Sequence, residues 1–505
     1  MVTFPKKKFY VTTPIYYTNA PPHIGSAYTT IAADILARFH RLKGENVFFL
    51  TGTDEHGKKI QKTAEEKCKK PQEFVDRIVE KFKDLWAKLN ISNNNFLRTT
   101  DPKHEKEVKN ILEELYNKKF IYKGYYEAYY CVGCEQYLTE NDLVNGLCPL
   151  HKKSPEIKKE EAYLFKLSAF QKELLDLIEN DKLHILPKKK KAEILSFIKA
   201  GLKDISISRK KSEVYWGIEL HFDKNHTVFV WVDAFWNYLT GLEDKKTFNK
   251  FWPPDVQLMA NDILRVHSTI WPALLLALEI KLPKTLFVHG YFTLDGQKIS
   301  KSLGNIIDPF YLIDKYGTDS LRYFFIRNIP FGQDGDFSEK LLIERTNNEL
   351  VANIGNFIHR TLTFLWTNFD GTVPVYKKEK CSPLDKKFDD YIENMAENVG
   401  KNLEKNKIDE GLREIIAFSS YCNAYFQGKE PWKTKDRNCL YLSFKAVKTL
   451  AVLLEPFIPE SSEKLWKQLN LKGDVHKEKW ESASKIVIKS GYKINKPEVL
   501  FKKIL

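Results

Sequence analysis

The sequence predicts an α/β protein in which a Rossmann-like, doubly wound parallel sheet is interrupted by a small inserted module and followed by an all-α bundle. Three observations predict it. Residues 8–50 read strand, turn, helix, strand, and that order in so little chain is a parallel crossover. Three cysteines and a histidine gather between Cys131 and His151, in a stretch that breaks the strand–helix alternation. Beyond about residue 338 the apolar spacing is helical.

At 505 residues the chain is too long for one core. It divides into 1–120 and 201–337, two halves of the sheet domain, with an insertion at 121–200 and the bundle at 338–505. Hydrophobic residues make up 43% and charged residues 29%, and no apolar run reaches membrane-spanning length, so a membrane partner is not expected. Residues 1–8 lack the apolar core of a secretion signal. A net charge of +14 suits a polyanionic partner without identifying one. Cys68, Cys381, Cys422 and Cys439 are scattered, which points to reduced thiols in a cytoplasmic compartment.

Taken in order, Lys8–Thr13 (KFYVTT) is a buried strand by its aromatic and β-branched content. Ile31, Ile35, Leu36, Phe39 and Leu42 recur at helical spacing, and Gly44 sits where a C-cap glycine belongs. Asn46–Leu50 is the second strand, running into TGTDEHG. Helices follow to about residue 120. Strand-like runs return at Gly201–Ser208, Thr227–Trp231 and Val256–Met259, which are read as the second half of the sheet, and again at Thr285–Val288. Amphipathic helices are predicted over 339–367, 384–404, 408–427 and 437–456.

Two stretches carry phosphate chemistry. His23-Ile24-Gly25-Ser26 stands at the mouth of the first helix, where a glycine lets a phosphate approach backbone N–H groups and an imidazole adds a hydrogen bond. Lys298-Ile299-Ser300-Lys301-Ser302 follows a strand and an Asp-Gly turn, and its two ammonium groups suit a departing pyrophosphate. Asp54, at the carboxyl end of the second strand, either holds a substrate ammonium or caps the helix near Lys58. Cys131-x2-Cys134 and Cys148-x2-His151 form two chelating pairs whose three thiolates and one imidazole match one structural Zn2+ per chain. With four protein ligands, no position is left for a catalytic water.

The two phosphate stretches, in this order, resemble the HIGH and KMSKS motifs of class I aminoacyl-tRNA synthetases. With PIYY, TGTDEHG, WVDAFWNY and HSTIWP between them, the whole chain resembles the methionyl-tRNA synthetase family. The resemblance implies an aminoacyl-tRNA ligase acting on L-methionine, ATP with Mg2+, and initiator and elongator tRNA(Met). It implies catalytic roles for His23, Ser26, Lys298 and Lys301, and ATP contacts from Gly25, Asp262 and Ser300 as well. It places Ile15, Tyr17, Asp54, Trp231, Ala234, Tyr238, His267 and Trp271 around methionine, and Asn356, Arg360 and Trp432 on the anticodon. On its own residues Trp432 reads as core packing, and the anticodon role rests on the resemblance.

The chain departs from the family twice. Ser26 stands where a second histidine is usual, and Ala260-Asn261 where Gly-Lys is common. A serine hydroxyl there is expected to donate to phosphate with a weaker grip. About 100 residues between the sheet halves leave no room for a large editing domain, and no appended dimerisation domain follows the bundle, so a monomer is expected. The alternative reading is a tRNA-binding paralogue that has lost activation.

Overall fold

The computed structural model describes residues 7–134, 136–138, 143–294, 297–298, 307–485, 489 and 491–505, with backbone alone at 126–128, 136–137, 158 and 297–298. Its centre is a seven-stranded sheet. Strand β1 (Lys8–Thr12) lies between β3 (Asn46–Asp54) and Val256–Ala260; β2 (Tyr16–Tyr17) and β4 (Asn95–Arg98) pair with β3, and Thr285–His289 and His184–Leu186 complete the other side. All these pairings are parallel. Strands covered on both faces read as unbroken apolar runs such as VFFL rather than alternating ones. Helix α1 (Ile24–Leu42) crosses from β1 to β3 and is buried along almost its whole length. Gly44, with φ +76°, ends it as the sequence predicts.

Two strand readings need correction. Gly201–Ser208 does not open the second half of the sheet: Ile205–Ser206 pairs antiparallel with Glu156–Phe165, and Ser208–Lys210 with Asp223–Val228. The stretch read as Thr227–Trp231 stops at Val228 as part of that antiparallel strand, and Val230–Phe235 is helix. Short apolar runs do not state which sheet they join, because period and propensity are the same in either. The parallel sheet instead takes its edge from His184–Leu186, a three-residue strand inside the 121–200 stretch and too short to show a period.

The insertion is a long antiparallel ribbon, Ile121–Cys131 against Glu156–Phe165, with the cysteine cluster at its tip. From Glu339 the chain is helical as predicted: Glu339–Phe369, Pro383–Glu404, Ile408–Lys429, Arg437–Leu454 and Pro459–Gln468. The first of these widens into π-helix over Thr346–Gly355. Ser382 and Asp385 form a capping box, with Pro383 at the first helical position. Among the described residues no helix is long and apolar enough to cross a membrane.

One buried arginine ties sheet domain to bundle. Arg322, fully enclosed on Thr318–Asn328, donates to Leu89 O at 3.0 Å, Pro456 O at 2.9 Å, Phe457 O at 2.9 Å and Asp34 Oδ2 at 2.8 Å. Asp34 on α1 also accepts from Arg38 Nε at 2.8 Å, and Arg38 reaches Glu455 at 2.7 Å. Burial alone would raise the Asp34 pKa, but Arg38 and Arg322 pull it down to about 2.

Candidate active site

The carboxyl ends of parallel strands share one edge, and the His23 turn stands on it. His23 is the N-cap of α1, in extended backbone (φ −132°, ψ 176°), and its Nδ1 accepts the Gly25 N–H at 3.1 Å. An accepting Nδ1 carries no proton, so the neutral ring's proton lies on Nε2, a donor. Gly25 has no room for a side chain: a Cβ would lie 2.9 Å from the His23 ring. Ser26 is buried and closes the cap, accepting the His23 N–H at 3.1 Å and donating to His23 O at 2.7 Å. Its single proton is committed to the cap. In this arrangement the residue holds the His23 backbone.

The second phosphate stretch leaves the same edge. Thr285–His289 leads into Phe292–Leu294, which pairs antiparallel with Gln297–Lys298, so the Lys298 backbone sits at the root of a hairpin. The Lys298 side chain, Ser300 and Lys301 lie outside the described residues. Asp262 begins where Val256–Ala260 ends, exposed in a short 3-10 turn. Tyr291 lies against it, its phenol pKa raised by burial and then by the Asp262 charge.

The methionine set is partly assembled. Tyr17 pairs with Asp54 across β2 and β3, and the Thr18 N–H donates to Asp54 O at 3.0 Å, drawing the Ile15–Tyr17 segment beside the carboxylate. Gly57, not Asp54, caps the next helix, which removes the capping explanation for Asp54. The Tyr10 hydroxyl donates to Tyr238 O at 2.7 Å. His267 Nδ1 donates to Ile263 O at 2.9 Å, so Nε2 accepts the Tyr238 hydroxyl at 2.8 Å. Burial lowers the His267 pKa to about 4, which keeps the ring neutral. Trp271 is fully enclosed and stacks on Phe235 at 5.7 Å, bracing Tyr238 from behind. Ala234 lies in the same helix as half-buried Trp231, which packs against the apolar cluster that contains Tyr238 and Trp271.

Sequence reasoning missed the group beneath this wall. Asp233, buried, takes His56 Nδ1 at 2.7 Å and His104 Nε2 at 2.9 Å, and His104 Nδ1 reaches Thr240 Oγ1 at 2.7 Å. These residues tie the TGTDEHG turn to WVDAFWNY, and nothing in the linear sequence links His104 to either. Burial by itself lowers the His56 pKa, yet the Asp233 charge outweighs it and the net shift is upward. Asp233 is held below its ordinary value by the two imidazoles against burial. The charged pair therefore contributes fully below pH about 6.5, is lost as pH climbs through the raised value of His56, and fails in acid only as pH falls through the depressed value of Asp233. His56→Gln is expected to cost more stability at pH 6 than at pH 9, measured from urea midpoints. Equal costs at both would sink the charge assignment.

Cys131, Cys134, Cys148 and His151 converge at the ribbon tip, with all four ligand atoms within 4.8 Å of one another. Cys134 Sγ is 3.5 Å from Cys148 Sγ and 3.2 Å from His151 Nδ1, and Cys131 and Cys148 Sγ stand 3.7 Å and 3.8 Å from that nitrogen. A tetrahedral ion with ordinary zinc bond lengths would separate its ligands by about 3.6–3.8 Å. The donor set fits a single metal ion. Gly133 makes the knuckle possible, since a Cβ there would lie 2.5 Å from His151 Cδ2. Gly133→Ala is expected to weaken metal retention about 10–100-fold, the range for lost support of a ligand. Metal content after graded chelator treatment would show it, and an unchanged curve would exclude a role for Gly133.

In the bundle, Asn356 and Arg360 face Ile408–Lys429 as two rungs. Asn356 Nδ2 donates to Asn423 Oδ1 and Arg360 to Gln427 Oε1, each at 3.1 Å. The Arg360 guanidinium lies 5.1 Å from the Phe426 ring and 5.5 Å from Trp432. Trp432 is 39% exposed, which argues against simple core packing. The three residues thus share one surface.

The comparisons with known proteins agree over nearly the whole chain. A family model described as tRNA synthetases class I (M) matches residues 9–153 and 140–362, and one described as anticodon-binding domain of tRNA ligase matches residues 385–503. The methionine–tRNA ligase of Caldanaerobacter subterraneus subsp. tengcongensis is 42% identical over 511 residues, 99% of this chain and 79% of that protein. That of Rickettsia conorii is 41% identical over 92% of this chain and 93% of its own. Among solved structures, Mycobacterium tuberculosis methionyl-tRNA synthetase in complex with methionyl-adenylate superposes with a TM-score of 0.93 at 34% identity, covering 98% of this chain and 99% of that one. With its sheet edge, cysteine knuckle and helical end all accounted for, this chain belongs to the methionine–tRNA ligase family of class I tRNA synthetases.

Proposed function

We propose that this chain activates L-methionine with ATP and transfers it to tRNA(Met), with initiator and elongator tRNA as its partners. The observation that carries the reading is the shared sheet edge: the His23 turn, the Asp54 strand end and the Lys298 hairpin all leave it on one side. The methionine carboxylate attacks the α-phosphorus of ATP in line, pyrophosphate leaves, and methionyl-adenylate remains. The terminal ribose hydroxyl of tRNA then attacks the activated carbonyl and releases AMP.

His23 Nε2–H and the N–H groups opening α1 offer preorganised donors to phosphate oxygen, where they act without reorganising. Ser26 holds that cap. Lys298 and Lys301 supply positive charge for the departing pyrophosphate, Ser300 a hydroxyl, and Asp262 a contact to the ribose. Mg2+, carried on the ATP phosphates, adds charge at the same oxygens. Asp54 pairs with the methionine ammonium, while Ile15, Tyr17, Trp231, Ala234, Tyr238, His267 and Trp271 form and brace the side-chain pocket. An unbranched thioether slides between aromatic faces that exclude branched side chains.

Residues 1–120 and 201–337 carry activation, 121–200 a zinc-stiffened module that also lends His184–Leu186 to the sheet edge, and 338–505 the anticodon face. There Asn356 and Arg360 offer hydrogen bonds and Trp432 a stacking ring for unstacked bases. The chain works as a cytoplasmic monomer. The test is amino-acid-dependent ATP–pyrophosphate exchange with methionine, cysteine, leucine, isoleucine and valine. Exchange with methionine alone is expected; silence with all five would favour the tRNA-binding paralogue.

A further inference from the structure

Thr285–His289 ends in a histidine that no role above uses. The His289 ring is buried, and its Nδ1 stands 2.8 Å from Gly290 O. A carbonyl only accepts, so Nδ1 carries the ring proton. Burial lowers the His289 pKa and leaves the ring neutral, with Nε2 as acceptor. Thr29 Oγ1 lies 2.6 Å from that Nε2, and the threonine hydroxyl is therefore the donor. The same Oγ1 is 3.1 Å from Gly25 O, but its one proton is assigned to the imidazole.

This bond joins the two phosphate stretches. Thr29 sits on α1 within a turn of Ser26, and Tyr28 beside it meets the His289 ring edge-on at 5.1 Å. His289 closes the strand that becomes the hairpin bearing Lys298. The hairpin root is held on its other side too. A Cβ on Gly290 would lie 2.1 Å from Gln333 O, and the Tyr291 N–H donates to Asp334 Oδ1 at 2.7 Å. Movement of α1 along the sheet would shift the His23 turn against the hairpin root, and the Thr29–His289 bond opposes that movement.

We propose that Thr29 and His289 are positioning residues for adenylate formation, fixing the phosphate turn of α1 in register with the hairpin that carries Lys298. The proposal rests on the reading of His23 and Lys298 as triphosphate ligands. The two half-reactions separate it from a merely structural bond, because pyrophosphate is present only in the first. Misplacement of reacting groups by about an ångström costs up to about 100-fold in rate.

Thr29→Val removes the hydroxyl at nearly constant shape, and Thr29→Ser restores it. For Thr29→Val the expected result is a drop of about 10-fold or more in kcat for methionine-dependent pyrophosphate exchange. The KM for methionine should stay within about twofold and single-turnover transfer from preformed methionyl-adenylate at the parent rate, since neither depends on the pyrophosphate ligands. Thr29→Ser should recover most of the exchange. His289→Gln, whose amide oxygen can accept where Nε2 did, should retain more exchange than His289→Phe. The proposal is overturned if Thr29→Val exchanges like the parent, or if exchange, transfer and melting temperature all fall together. A parent protein silent with methionine would instead remove the activation reading itself.

Discussion

His23→Ala is expected to lower methionine-dependent ATP–pyrophosphate exchange by about 10²–10³-fold, the loss seen when one preorganised donor to a developing charge is removed. That corresponds to about 2.7–4 kcal/mol of transition-state stabilisation. The geometry makes the imidazole more than a surface cap. Its Nδ1 is engaged by the Gly25 N–H, so the proton is directed to Nε2, and the Ser26 hydroxyl holds the backbone that carries the ring. Alanine also removes an N-cap, which by itself costs about 1 kcal/mol of stability. His23→Asn separates the two effects, since asparagine caps well but is too short to place a donor where Nε2 stands. The asparagine variant should melt near the parent and still lose most of its exchange. Parent-like exchange in both variants would remove His23 from the chemistry.

The second large effect is on the fold. Arg322→Met should destabilise the protein by about 3–5 kcal/mol, the usual consequence of removing one partner of a buried ion pair. The substitution leaves the carbonyls of Leu89, Pro456 and Phe457 without their donor and leaves buried Asp34 with Arg38 as its one remaining guanidinium partner. Against a typical total of about 5–15 kcal/mol, that is enough to threaten folding at 37 °C. Guanidinium melts of the variant beside Lys401→Met provide the scale. Lys401 pairs with Glu397 on an exposed helix face, where solvent screening leaves little effect on stability. If the two variants melted alike, Arg322 would not be the tie between sheet domain and bundle.

How much of this was legible beforehand depends on how far apart the cooperating residues lie. The His23 turn, Gly44, the cysteine pairs and the four long helices of the bundle were readable because each is written in a few neighbouring residues. A cap, a chelating pair and a helical face are all settled within about two turns of chain. What Ser26 does within the turn is not legible in the sequence, for the opposite reason. Its type suits a phosphate donor, and only the coordinates show its proton spent on His23 O.

By itself, then, the sequence determined the α/β class, the parallel crossover around α1, the gathering of three cysteines and a histidine with metal-ligand spacing, and the helical end. Tertiary structure alone decided which sheet the strands near 205 and 227 join, and that His184–Leu186 supplies the parallel edge. It alone brought His104 to Asp233, Thr29 to His289 and Arg322 to Asp34. Local patterns are set by backbone geometry and burial period, which a short window of residues contains. Buried polar partners are chosen by which elements end up packed together, and that choice is made across hundreds of residues by the satisfaction of donors and acceptors removed from water.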